Sequence, residues 1–440
     1  MLMRQTASFP IEQLSFWKKK LLHWADAHPI GIFLDNNQQP SAQWECLVAA
    51  GAQEYLAVPA SSAFEQLRAF KADKDWLFGY FSYDLKNEIE ALHSHHPDGI
   101  GLADLGFFWP ETVVSIAAHT SAEVPEPTYL LEIQTFAKNP IAIFEQIRQM
   151  SVLSDSVAPS PIQLQPRISE ADYLRIVESI RQHIALGDLY EMNFCQEFYA
   201  ASVALHPVAV FERLNAISAA PFTTFLRWQE RYLLSASPER FLKKTGNTLV
   251  SQPIKGTRKR GQTAAEDALI RAELAESEKD RSENVMIVDL VRNDFSRNCM
   301  PGTVEVTELC GIHTFATVHQ MISTVCGQLD ETEPDLALRA LRHCFPMGSM
   351  TGAPKVMAME LIERYEQTRR GLYSGAVGYF DPKGDFDFNV VIRSILYNKN
   401  TGYVSAQVGG AIVYDSVPEQ EYEECLVKAE AMFRALSGVF

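Results

Sequence analysis

"RYLLSASPERFLKKTGNTLVSQPIKGT", residues 231 to 257, reads as strand, turn, strand, turn, strand. Gly246-Asn247 is a hairpin turn signal between two of its arms. Folding about that turn brings residue 239 opposite residues 253 to 255, so Glu239 and Lys255 share one end of a hairpin. Pro253 has no N–H to give to a ladder, so regular pairing should stop there. The register stays open to one residue, and a slip of one turns a side chain to the other face. A carboxyl and an amine at one strand end form either a structural ion pair or a general acid and a nucleophile.

Working outward, strands fall in hairpin-like clusters at 222–228, 231–236, 239–245 and 248–254, then at 374–380, 387–397 and 402–414. Helical patterns lie between them at about 207–216, 264–292, 334–343, 354–367 and 418–437. Strands and helices do not alternate regularly. This predicts an α+β fold in which two large, mainly antiparallel sheets pack as a sandwich flanked by helices. Toward the N-terminus a helix is expected at 11–27, short strands at 30–34, 44–50, 76–83, 113–118 and 128–134, and a helix at 139–150. Residues 1–150 are read as adding strands and helices to the same fold. Residues 151–166, rich in Ser and Pro, form the expected linker, and 167–440 the catalytic region. Ser169 opens a helix with a stripe of Tyr173, Ile176, Val177, Ile180 and Ile184.

The chain of 440 residues carries 55 acidic against 39 basic residues, a net charge of −16. Nucleic acid and anionic membranes call for a basic footprint, so neither is an expected partner. No apolar run reaches the length of a membrane helix, and the start has no secretory pattern. The seven cysteines are scattered without a CxxC pair, which fits reduced thiols in cytoplasm. "GSMTGAPK" (348–355) lacks the spacing of a phosphate loop. No cysteine has a nucleophile setting, so the chain is not expected to hydrolyse glutamine.

Other groups draw attention. Asp280 and Glu283 share a helix face that continues inward through Ile287 and Leu290. In the last helix Glu421, Glu424 and Lys428 form one stripe beside an apolar one. Two such helices either present solvated acidic faces or offer oxygen ligands to a hard cation such as Mg²⁺. Gly409-Gly410 interrupts an apolar strand, a mark of a bulge or of close approach. Arg393 lies in the apolar run "FNVVIRSIL" and needs an anionic partner. Taken singly, His319 and Tyr373 read as packing residues.

Together these segments resemble the chorismate-utilising enzymes, which include anthranilate synthase component I, aminodeoxychorismate synthase component I, isochorismate synthase and salicylate synthase. The resemblance rests on "SPERF" (237–241), "PIKGTRKRG" (253–261), "EKDRSENVMIVDLVRND" (278–294), "TVHQMIS" (317–323), "PMGSMTGAPK" (346–355), "YSGAVGYF" (373–380), "NVVIRS" (389–394) and "GGAIVYDSVPEQEYEE" (409–424), in order. The N-terminal part matches chiefly at "GYFSYDL" (79–85). Anthranilate synthases look like PIAGT where this chain has PIKGT. The water-adding enzymes use a lysine in the segment reading "GDLYEMNF" (187–194) here, where Glu191 stands. Both features point to the aminodeoxychorismate synthase branch.

What the resemblance implies is specific. Chorismate would be aminated at C4, giving 4-amino-4-deoxychorismate for para-aminobenzoate and folate synthesis. Ammonia would come from a separate glutamine amidotransferase subunit. Lys255 would be the nucleophile, and so is expected to have a lowered pKa. Glu239 would be the acid, with help from His319. Glu283 and Glu424 would hold Mg²⁺, with Asp280 and Glu421 on its waters. Tyr373, Arg393, Lys428, Thr351 and the backbone at Gly409, Gly410 and Ala411 would hold the substrate. Pro221, Phe222 and Thr223 match the rim of a possible effector pocket. Two departures stand out: Asn284 where His is frequent, and Ala411 where a third Gly is common. The competing expectations are anthranilate synthase component I and a non-catalytic metabolite-binding homologue.

Overall fold

The computed structural model describes residues 3–39, 43–121, 124–136, 139–152, 161–330, 332 and 335–437. Residues 153–160 of the expected linker lie outside them. The quoted stretch folds into strands Arg231–Ser237, Arg240–Thr245, Thr248–Gln252 and Ile254–Lys259. Thr245 pairs with Thr248 and Arg240 with Gln252, so Glu239 comes level with Pro253, as the hairpin required. Past Pro253 the chain leaves this partner and pairs with strand Val318–Gln328. That ladder slips between Ile254 and Thr257, which leaves Lys255 and Gly256 in a bulge. Gly256 has φ 86°, and a Cβ there would stand 2.9 Å from Asp280 Oδ1. Glycine therefore lets the lysine loop close against the acidic helix.

The described strands form one hydrogen-bonded ribbon with two wings, and every pairing is antiparallel. One wing runs from Cys46–Val58 through Ile30–Asp35, Phe222–Trp228, Arg231–Ser237, Ser394–Asn398 and Tyr403–Ile412 to Glu191–Ala200. The other runs from Leu77–Phe81 through Ala376–Phe380, Phe386–Val390, Arg240–Thr245 and Thr248–Gln252 to Val318–Gln328. Strand Leu105–Ser121 pairs with both and joins them. Each wing thus joins strands from before and after residue 150, which meet at Ile30–Asp35 with Phe222–Trp228 and at Leu77–Phe81 with Ala376–Phe380.

The wings face each other across one core. Ile32, Leu47, Leu226, Leu233 and Leu396 come to it from the first wing, and Phe78, Val377, Phe388 and Leu242 from the second. The alternate residues of the first wing, Phe33, Val48, Phe225, Leu234 and Ile395, form another core with helices Leu14–Asp26, Glu170–Leu186, Pro207–Ser218 and Pro418–Ser437. A sheet covered on both faces reads as unbroken apolar runs, as Ile30–Leu34 and Cys46–Ala50 do.

Two expected elements are divided. The helix expected over 264–292 is two, Ala264–Glu276 and Glu278–Ser296, because Ser277 stops the first and caps the second by accepting from the Asp280 N–H. The strand expected over 387–397 is also two, Phe386–Val390 and Ser394–Asn398. They belong to different wings, and Arg393, at φ 52°, makes the crossing. Strands Gln5–Ile11, Glu191–Ala200, Glu305–Thr314 and Val318–Gln328 were not expected from the sequence.

Candidate active site

Lys255 Nζ donates to Glu191 Oε1 at 2.7 Å, with side chains only 9% and 1% exposed. Burial pulls the amine down, but Glu191, Glu283 and Glu239 together outweigh it and hold Lys255 above its ordinary value. The expected lowering is therefore overturned: three carboxylates stabilise the ammonium more than desolvation penalises it. Glu191 entered the sequence argument only as a missing lysine, yet it is the direct partner of Lys255. Strand Glu191–Ala200 delivers it, sending Met192, Phe194 and Phe198 toward the helices and Glu191 to the opposite face.

Glu239 follows strand Arg231–Ser237, and its N–H donates to Ser237 Oγ. Its Oε1 accepts from Ser349 Oγ at 2.7 Å. Burial pushes the carboxyl up to about 7, while Ser349, Lys255 and the Ile254 backbone pull it back. A carboxyl at about 7 holds a proton that it can give near neutral pH.

The acidic helix faces do converge. Glu283 is pushed up to about 7 by burial, with Lys255 opposing and Glu191 adding to it, and its Oε1 makes no hydrogen bond. Asp280 takes Arg258 at 2.8 Å. Lys279 stands 3.7 Å from Glu421 and 4.0 Å from Glu283, linking the two helices. Glu421 accepts from Ser416, and burial raises it. Glu424 is held low by Lys428. A Cβ on Gly410 would lie 3.1 Å from Glu421 Oε2, so the glycine strand passes close beneath these carboxylates. Among the described residues no three of His, Cys, Asp or Glu form a metal-binding group on their own. Mg²⁺ needs only one or two carboxylates, with water and substrate anions for the rest. Glu283, with its unsatisfied Oε1, and Glu424 fit that requirement.

Lys428 Nζ donates to Gly409 O at 2.9 Å, and Arg393 Nη1 donates to Lys428 O at 3.4 Å. Burial pulls the guanidinium down, with Tyr373 and Glu424 opposing. No carboxylate forms a salt bridge with Arg393 among the described residues, which leaves most of its donors for an incoming anion. Tyr373 is buried, with its hydroxyl 3.6 Å from Cys195 Sγ. Ala411 pairs with Asn193 in the strand ladder.

Two expected placements differ. His319 points at helix Ala264–Glu276, where its ring bonds Asp267 and Thr314 at 2.9 Å each, and it lines an outer groove with Arg260 and Arg271. It is not brought to Glu239. Met321 and Ser323 share its face, whereas Gln320 takes the other, 4% exposed, with Oε1 unpartnered. Thr351 is fully buried and its hydroxyl donates to Met347 O, so it fixes a turn rather than facing substrate. Of the possible effector rim, Thr223 hydrogen-bonds Asn37 and Ala220 O, and Phe222 lies under the Arg240 guanidinium, while Pro221 stands in the turn before their strand.

The chorismate binding enzyme family matches residues 20–434. An aminodeoxychorismate synthase of Streptomyces pristinaespiralis is 43% identical over 371 residues, 81% of this chain and 50% of that protein. An anthranilate synthase component 1 of Thermus thermophilus is 36% identical over 366 residues, 81% of this chain and 76% of that protein. The chain thus spans about half the length of the first relative and three quarters of the second. The structure of anthranilate synthase component I from Streptococcus pneumoniae superposes with a TM-score of 0.75 at 24% identity, covering 90% of this chain and 93% of that one. Among the described residues no helix is long and apolar enough to cross a membrane.

Proposed function

This chain belongs to the chorismate-binding enzymes, and we propose that it is an aminodeoxychorismate synthase component I, replacing the C4 hydroxyl of chorismate with an amino group. The observation that carries this is Lys255, a buried amine set beside Glu191 and near Glu239 at the bulge of the PIKGT segment. The similarity to named aminodeoxychorismate synthases supports it.

The chemistry follows from proton positions. Lys255 must lose a proton before it attacks, and Glu191, at 2.7 Å, takes it. The amine nitrogen bonds to ring C2, the ring electrons shift, and the C4–O bond breaks. Glu239 gives its proton to the departing hydroxyl, which leaves as water. Ammonia then bonds to C4, the electrons shift back, and the C2–N bond breaks. Glu191 returns its proton to the lysine, and the new ammonium on C4 passes one to Glu239. Chorismate and ammonia go in; 4-amino-4-deoxychorismate and water come out.

Arg393, Lys428 and the backbone at Gly409 to Ala411 would hold the substrate carboxylates. Glu283 and Glu424 would hold Mg²⁺, with Asp280 and Glu421 beside them. Bound there, the ion would supply positive charge that offsets the carboxylates and polarises the bound substrate. The ammonia source would be a glutamine amidotransferase partner.

The test is product identity. The purified chain is incubated with chorismate, Mg²⁺ and ammonium salt near neutral pH, and the product is read by mass and by conversion with an aminodeoxychorismate lyase. 4-Amino-4-deoxychorismate is expected. Anthranilate would move the chain to the branch of its Thermus relative.

A further inference from the structure

The segment "PMGSMTGAPK" has no part in the chemistry above, although it is packed against it. Its turn Gly348–Met350 is buried beside Glu239, with Ser349 only 7% exposed. The turn is anchored from several sides. Met350 O accepts from the buried Arg370 at 2.6 Å, Ser349 O from Asn193 Nδ2 at 3.4 Å, and Met347 O from Thr351 Oγ. The Asn193 N–H also donates to Thr351 O at 2.8 Å. Arg370 is itself clamped by Glu366. Ser349 therefore does not choose its own position; the strand that carries Glu191 and the helix turn at Glu366 impose it.

From that position Ser349 Oγ reaches Glu239 Oε1 at 2.7 Å, and among the described residues it is the only side chain that hydrogen-bonds this carboxyl. Behind the pair lies a cavity of about 20 Å³, lined by Ser251, Asp294, Cys344 and Met347 among others, with room for one water at most. We propose that Ser349 is a positioning residue for the acid: its O–H holds one oxygen of Glu239 and leaves the other to carry the transferable proton toward the ring. A hydroxyl has one proton, so donation to Oε1 assigns the acidic hydrogen of neutral Glu239 to Oε2. The same bond favours the ionised carboxyl and so makes Glu239 a stronger acid than burial alone would allow. The other charged groups around Glu239 are Lys255 on the bulge, Arg240 next in the chain and paired with Asp387, and Asp294 across the cavity, paired with Lys355.

This inference rests on Glu239 being the acid of the proposed amination, so the test has one readout independent of turnover. The carboxyl of Glu239 is titrated by infrared difference spectroscopy of the substrate-free protein, assigned by subtraction of Glu239→Gln. The second readout is the pH dependence of kcat/KM for chorismate consumption with Mg²⁺ and ammonium. In Ser349→Ala both the titration and the alkaline limb should move up by about one to two pH units. kcat at the optimum should fall about tenfold, with KM little changed. Ser349→Thr, which keeps the hydroxyl, should restore both. If Ser349→Ala does not fold, Ser349→Cys, of similar size with a weak donor, is read the same way. An unmoved infrared titration overturns the proposal, and so does a moved titration with an unmoved limb. If chorismate is not consumed at all, the functional assignment fails, while the infrared titration still decides whether Ser349 holds Glu239.

Discussion

Replacing Lys255 with methionine separates a structural ion pair from a working amine. The methionine fills similar space but leaves Glu191, 1% exposed, without its partner at 2.7 Å. Nothing else replaces it: Glu191 Oε2 already lacks a hydrogen bond, and Glu283 and Glu239 are like charges nearby. Removing one member of a buried pair costs about 3–5 kcal/mol. Near pH 8 the variant should lose stability by that amount in urea unfolding. Protonating the orphaned carboxyl removes the buried charge, so the folded variant binds more protons than the unfolded chain. Its deficit must then shrink as pH falls toward the carboxylate range.

The double variant Lys255→Met with Glu191→Gln completes the argument. It carries neither buried charge and should recover to within about 1 kcal/mol of wild type. Its turnover of chorismate should stay absent, because no nucleophile has been restored. The assays are urea unfolding at pH 5.5 and pH 8, and product formation by mass. If the stable double variant still made product, Lys255 would be only a structural cation. If Lys255→Met were as stable as wild type at pH 8, the buried pairing itself would be wrong.

Other outcomes follow from the same geometry. Glu239→Gln should lower kcat/KM by about 10²- to 10⁴-fold. In the wild type activity should fall as pH rises through about 7, where Glu239 loses its proton. Because the folded pKa of Glu239 exceeds the unfolded one, the folded state binds more protons in that window, and the wild type should lose stability as pH rises from the carboxylate range to about 7; Glu239→Gln should flatten this slope in unfolding measured at pH 5 and pH 8. Glu283→Gln should weaken Mg²⁺ binding at least about tenfold by calorimetry, and chelation should abolish turnover. His319→Asn should cost stability while leaving kcat/KM nearly unchanged, since the ring is spent on Asp267 and Thr314. A loss of about a hundredfold or more would return it to the chemistry.

The hairpin was legible because Gly246-Asn247 fixes a turn, and the count from it to Glu239 and Pro253 is short. The two acidic helix faces were legible because three- and four-residue spacing places carboxylates on one stripe. What escaped was whatever depends on a second strand. "EMNFCQEFYA" mixes polar and apolar residues, and only its pairing with Tyr403–Ile412 makes it a strand with Glu191 facing the lysine. His319 and Gln320 show the sharpest limit. A motif match aligns letters, but alternation decides which neighbour enters a given face, and here His319 goes to the outer helix. Ser349 gave no signal either, because its role exists only through a contact 110 residues away in the chain.

An acidic chain that takes an acidic substrate looks self-defeating until the cleft is examined by itself. Glu191, Glu239, Asp280, Glu283, Glu421 and Glu424 stand there against Lys255, Lys279, Lys428, Arg258 and Arg393, six carboxyls against five cations. Every cation but Arg393 is held by a carboxylate, and among the described residues Arg393 reaches only a backbone oxygen. Almost all of the net charge of −16 therefore belongs to the rest of the chain, while the site is close to neutral. Near-neutrality is not indifference. Lys255 and Arg393 are held in place and already largely desolvated, so an entering anion meets oriented positive charge at little reorganisation cost. A cation at Glu283 and Glu424 would tip the balance to positive and would compete with Lys279 and Lys428 for those carboxylates. If Mg²⁺ binds there as proposed, its binding and the release of these lysines toward the substrate would be one event, and mutating either lysine should alter the Mg²⁺ requirement as well as substrate affinity.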